Sequence, residues 1–219
     1  MNFPPPPWII DAADQALKQT LPNHYSHPKG RIRLRQAIKN FYESSFNRSL
    51  DVETEIIVTS GANEGAVLNE MSINRIQSLP GQYSVFAAFL ERGDEVIMFE
   101  PFFDQYLPSV TFNGGKPVYV PLHPHLVGER PNSSDWKIDF DELRCVKLSP
   151  LFPTLQPIRS RAITPRAKMI IINTPHNPIG KVFSREELEK IAAIAEEFNL
   201  LVMADEVVCK SHMAPLLVN

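Results

Sequence analysis

Asp205 closes the apolar run Leu200-Leu-Val-Met-Ala204 and is followed by Glu206. A carboxylate at that place can hold Mg²⁺ in a nucleotide hydrolase, but such a site needs a phosphate loop of the form GxxxxGK[ST]. The nearest stretch, Gly114-Gly-Lys-Pro117, has neither the spacing nor the hydroxyl. A second chemistry is a carboxylate that keeps a ring nitrogen protonated, as pyridoxal phosphate requires to act as an electron sink. A third reading is an aspartate that merely caps a loop. Residues 173–181, NTPHNPIGK, follow another apolar run, Lys168-Met-Ile-Ile-Ile172. Asn, Pro and Gly punctuate loops everywhere. An Asn side chain there can also donate to a phenolic oxygen. In EPFFDQY (100–106) a phenylalanine can stack on a ring or belong to the core. SGANEG (60–65) has small residues leading into a helix, where free N–H groups attract phosphate.

These residues need a frame. Short runs rich in β-branched residues read as strands: 55–59, 95–99, 117–120, 168–173 and 200–204. Helical spacing appears over Trp8–Leu21 and Ile32–Phe46, and again after Ser184. There Ser184 and Glu187 make a capping box, and Leu188, Ile191, Ala195 and Phe198 make an apolar stripe. Strand, helix, strand with uninterrupted apolar strands predicts an α/β fold: a mostly parallel sheet with helices on both faces. Ligands of such sheets bind beyond the carboxyl ends of the strands. All four polar turns lie at such ends, and NTPHNPIGK and ADEV (204–207) close two neighbouring strands joined by one helix.

Composition narrows the function. The 219 residues are 43% hydrophobic and 21% charged, with net charge −3, which favours no nucleic acid partner. The basic stretch Lys29–Arg35 alternates with apolar residues and reads as a helix face. The two cysteines, Cys145 and Cys209, have no metal-type spacing, so a reducing compartment is expected. No apolar run approaches the roughly 20 residues that span a bilayer. No secretory signal is visible. The expected compartment is the cytoplasm, with the mitochondrion as alternative if the native chain starts upstream of Met1.

The set TSGANEG, ERGDEVI, EPFFDQY, GGKPVYVPL, NTPHNPIGKVFSREELEKIA and ADEV resembles the fold-type I pyridoxal-phosphate aminotransferases of class I/II. Within them it most resembles the kynurenine–oxoglutarate aminotransferase and cysteine-S-conjugate β-lyase group. The resemblance implies transfer of an amino group from a kynurenine-like or similar amino acid to a 2-oxo acid, with pyridoxal 5'-phosphate as cofactor. It implies that Asn177 binds the cofactor's phenolic oxygen, that Asp205 binds its pyridinium and that Phe103 stacks on its ring. The Ala62 and Asn63 amides would hold the phosphate. Tyr25, in HYSHPKG, would reach the phosphate site of the second subunit of a homodimer. Residues 1–50 would form an N-terminal arm and small-domain segment, and residues 51–219 part of the cofactor-binding large domain.

The departures matter as much. The family carries a tyrosine three residues after the aspartate, and here that position is Val208. Residues 66–82 and 145–161 are off pattern, and deleting them restores it, as unspliced introns would. The tail 208–219 is also off pattern. The family's Schiff-base lysine and substrate-binding arginine have no counterpart in these residues, and neither Lys181 nor Lys210 matches that motif, so no catalytic residue is assigned. The competing expectation is therefore a non-catalytic fragment with weak or no cofactor binding. Expected outcome: borohydride treatment of the 219-residue chain with pyridoxal phosphate, mapped by mass spectrometry, fixes the cofactor to no single lysine. One uniquely labelled lysine would contradict this.

Overall fold

The computed structural model describes residues 4–59, 61, 81–125, 132–144 and 163–207. Most of the off-pattern stretch 66–82, all of 145–161 and the tail 208–219 lie outside them. The chain divides into two compact units, Met1–Thr59 and Ser60–Asn219.

In the first unit, α1 (Pro7–Leu17) opens on a proline, whose missing N–H costs nothing at a helix start. It stops earlier than the sequence pattern predicts. A separate 3₁₀ turn, Leu21–Asn23, follows it, and the Asn23 side chain donates to the carbonyls of Leu17 and Gln19 at 3.2 and 2.6 Å. Helix α2 (Ile32–Phe46) has the predicted bounds. The basic face is not wholly solvated: Arg35 is buried, donates to the carbonyls of Gly30 and Val52, and pairs with Glu53 at 3.2 Å. The predicted strand 55–59 is absent. Val58 N–H donates to Lys29 O at 3.0 Å, and no strand runs beside it among the described residues, so this apolar run has no ladder to join. That contact also explains Gly30. Its φ is +89°, and a Cβ there would stand 2.6 Å from Val58 Cβ.

The second unit is built on a sheet. Helix α3 (Gly81–Phe89) precedes β1 (Glu95–Glu100), α4 (Tyr106–Phe112), β2 (Lys116–Pro124), β3 (Trp136–Ile138), α5 (Phe140–Arg144), β4 (Ala167–Asn173), α6 (Arg185–Glu197) and β5 (Leu201–Asp205). The strand order is β3-β2-β1-β4-β5. Every pairing is parallel except β2 with β3. Alternate residues of β1 and β4 serve two cores. Ile97, Phe99, Ile170 and Ile172 pack with Leu143 of α5 and Ile191 and Ile194 of α6. Val96, Met98, Met169 and Ile171 pack with Phe86 of α3 and Val110 of α4. Cover on both faces is why these strands are apolar without alternation. Strand β3 was not anticipated, because three residues are too few to show a period.

Helix α6 carries the predicted capping box: Ser184 Oγ accepts from Glu187 N–H at 3.2 Å, and the Glu187 carboxylate accepts from Ser184 N–H at 2.9 Å. The same carboxylate takes Lys181 Nζ at 2.9 and 3.0 Å. The Lys181 side chain is 1% exposed and that of Glu187 13%. Burial pulls the Glu187 pKa up, but the Lys181 ammonium and the Ser184 N–H outweigh it and leave it below the ordinary 4.5. Removing one partner of a buried pair costs about 3–5 kcal/mol, since a lone charge remains. Glu187→Ala is therefore expected to lose about that much in urea denaturation, and adding Lys181→Met should restore more than half. A carboxyl with a lowered folded-state pKa contributes stability that is complete above its unfolded value and lost as pH falls through the folded one. The wild-type chain should accordingly lose this contribution below about pH 4.5, its ordinary value, and the double variant should not.

Candidate functional site

Strands β4 and β5 run side by side with Asn173 opposite Asp205. Asn173 Nδ2 and Thr174 N–H both donate to Asp205 O at 3.1 Å. Asn173 Oδ1 accepts from Asn177 N–H at 2.7 Å. One asparagine therefore ties the 173–181 turn to the end of the next strand. The turn closes on itself: His176 N–H donates to Lys181 O at 2.7 Å, and Gly180 N–H to His176 O at 2.6 Å. Gly180 has φ +69°, a region glycine enters without strain. The Thr174–Pro175 and Asn177–Pro178 peptide bonds are cis.

The carboxylate has its own partners. Tyr106 Oη donates to Asp205 Oδ2 at 2.5 Å, and Val207 N–H donates to Oδ1 at 3.1 Å. Tyr106 is 2% exposed. Burial, and then the hydrogen bond and charge of Asp205, hold its phenol well above the usual range, so the proton stays on the tyrosine and Asp205 is the acceptor. The Phe103 ring meets Tyr106 edge to face at 5.6 Å, while Phe102 stacks on Tyr119 at 5.5 Å.

Of the residues singled out from the sequence, Phe103, Asn177 and Asp205 thus belong to one connected cluster at the carboxyl edge of the sheet. Two residues that sequence reasoning passed over make the connection: Tyr106 and Asn173. A signal existed for each. Tyr106 stands three residues after Phe103 as a helix begins, and Asn173 is a polar residue that ends a run of buried isoleucines. The Asn177 side chain is exposed. Ala62 and Asn63 lie outside the described residues, next to Gly61, whose φ is +119°. Tyr25 is fully exposed in the first unit. Lys181 is committed to Glu187. Among the described residues there is no group of His, Cys, Asp and Glu side chains suited to a metal ion. No helix among them is long and apolar enough to cross a membrane.

A mostly parallel sheet with helices on both faces thus carries a carboxylate, an amide and an aromatic ring at its carboxyl edge. Residues 1–207 match the family model Aminotransferase class I and II, and the chain belongs to that family. It is 38% identical over 208 residues to a Saccharomyces cerevisiae protein named "Probable kynurenine–oxoglutarate transaminase", covering 94% of this chain and 39% of that protein. It is 32% identical over 209 residues to human kynurenine–oxoglutarate transaminase 1, covering 94% of this chain and 42% of the relative. The crystal structure of Bna3p from Saccharomyces cerevisiae superposes with a TM-score of 0.76 at 38% identity, over 94% of this chain and 41% of that one. The chain thus spans about two fifths of the length of these relatives.

A hydrogen bond to a charged group contributes roughly 1.5–3 kcal/mol. Tyr106→Phe should lower stability by about that amount in chemical denaturation at neutral pH. In an Asp205→Ala background the same substitution should cost little, and a double-mutant cycle reads the difference.

Proposed function

We propose that this chain forms the cofactor-binding part of a pyridoxal-phosphate-dependent aminotransferase acting on a kynurenine-like amino acid and a 2-oxo acid. The observation that carries the reading is Asp205: a half-buried carboxylate at the carboxyl edge of the sheet, held by Tyr106 and the Val207 N–H and tied by Asn173 to the turn that bears Asn177. When bound, pyridoxal phosphate supplies the electron sink for bond changes at the amino acid's α-carbon. The residues present fit such a ring. Asp205 holds a proton on the ring nitrogen. The two donors on its carboxylate fix its orientation, and Tyr106 cannot readily give up its proton to compete. The Asn177 amide donates to the phenolic oxygen. Phe103 would stack on the ring, and the Ala62 and Asn63 N–H groups would take the phosphate. Tyr25 serves the phosphate site of a second copy in a homodimer. The relatives named for kynurenine and oxoglutarate support the substrate class.

The test is made on a form extended to the length of its relatives, assayed with kynurenine and 2-oxoglutarate. Asp205→Ala should lower the transamination rate by about 10³-fold, the scale of losing a preorganised charge, while pyridoxal phosphate affinity changes far less. Asn177→Ala should cost roughly 2- to 10-fold, the loss of one neutral hydrogen bond. Near-normal turnover in Asp205→Ala would mean that another acid serves the ring, and the cofactor assignment would fall with it.

A further inference from the structure

Beneath the 173–181 turn lies a small, partly open cavity of about 10 Å³. Tyr106, Asn173 and His176 are the polar residues that line it, and Phe99, Phe102 and Ile171 are among its apolar neighbours. That volume is about one water-sized sphere. His176 is only 4% exposed, and among the described residues no protein group hydrogen-bonds its Nδ1. Burial first, and then the nearby Lys181 charge, pushes the imidazole down to about 4, so the ring is neutral at pH 7. A neutral imidazole nitrogen either donates or accepts, and a water satisfies both tautomers. The other two polar groups have capacity to spare. Tyr106 Oη gives its proton to Asp205 and keeps a lone pair, and Asn173 Nδ2 gives one proton to Asp205 O and keeps another. Three partners is the usual number for a buried water.

We propose that this cavity binds one water molecule, held by His176 Nδ1 and shared with Tyr106 and Asn173, and that His176 is thereby a positioning residue for the Tyr106–Asp205 pair. Through that water a side chain with no direct bond to Asp205 restrains both groups that grip it. The water site stands on the cavity and the buried nitrogen. Its bearing on catalysis rests on the reading of Asp205 given above.

The test uses the full chain without cofactor, as wild type, His176→Phe and His176→Asn, the last placing a polar atom where Nδ1 was. High-resolution crystallography should show one ordered water within hydrogen-bond distance of Nδ1 in the wild type, none in His176→Phe, and its return in His176→Asn. The Tyr106 hydroxyl proton, slow to exchange because it is buried, should shift its NMR resonance in His176→Phe and move back towards the wild-type position in His176→Asn. A dry wild-type cavity overturns the site. A hydroxyl resonance unmoved by His176→Phe overturns the positioning role. Should His176→Phe fail to fold, the wild-type density and a His176→Asn resonance near the wild-type position decide the two points. Neither readout needs pyridoxal phosphate. If the cofactor fails to bind while the water is present, only the cofactor reading falls.

Discussion

Everything at the candidate site depends on the parallel pairing of β4 with β5, which sets Asn173 opposite Asp205. Parallel strands leave their last carbonyls and side chains unpaired at one edge, and Asn173 resolves that edge with a single side chain. It takes the turn's N–H on its oxygen and gives its own N–H to the carbonyl of Asp205. A shift of one residue in this register would turn Asn173 to the opposite face of the sheet. Both faces are packed with isoleucine, methionine and phenylalanine, so such a slip would bury amide groups without partners.

The same edge concentrates buried polar groups. Lys181 and Glu187 neutralise each other beneath the turn, and Glu187 also completes the cap of α6. The turn, the crossover helix and the strand end are therefore linked through side chains as well as backbone. Tyr106 adds a third element, because it begins α4 yet bonds to the end of β5. Two segments far apart in the chain thus converge on Asp205, Tyr106 on its carboxylate and Asn173 with the Thr174 N–H on its backbone carbonyl. A carboxylate held by both Tyr106 and the Val207 N–H keeps a fixed position at the strand end.

The chain matches its relatives over nearly its whole length yet spans about two fifths of theirs. The matched part holds the carboxylate, the asparagine turn and the aromatic pair. The family membership places those elements in an aminotransferase lineage.

Much was legible in the residues alone. The unbroken apolar runs of β1 and β4 announced strands covered on both faces, the Ser184–Glu187 pair announced α6, and polar turns after apolar runs located the edge where Asn177 and Asp205 stand. These are local signals, since periodicity and capping act within a few residues. What the tertiary structure decided was partnership. The run 55–59 has the composition of a strand, but Val58 meets Lys29 instead of a neighbouring strand. Tyr106 and Asp205 are 99 residues apart, and nothing local marks them as a pair. Lys181 is a basic residue in a polar turn, yet it is buried against Glu187, six residues further on in the first turn of α6. A side chain's type records what it can bond to; only the folded chain, by closing long loops, brings it the atom that it does bond.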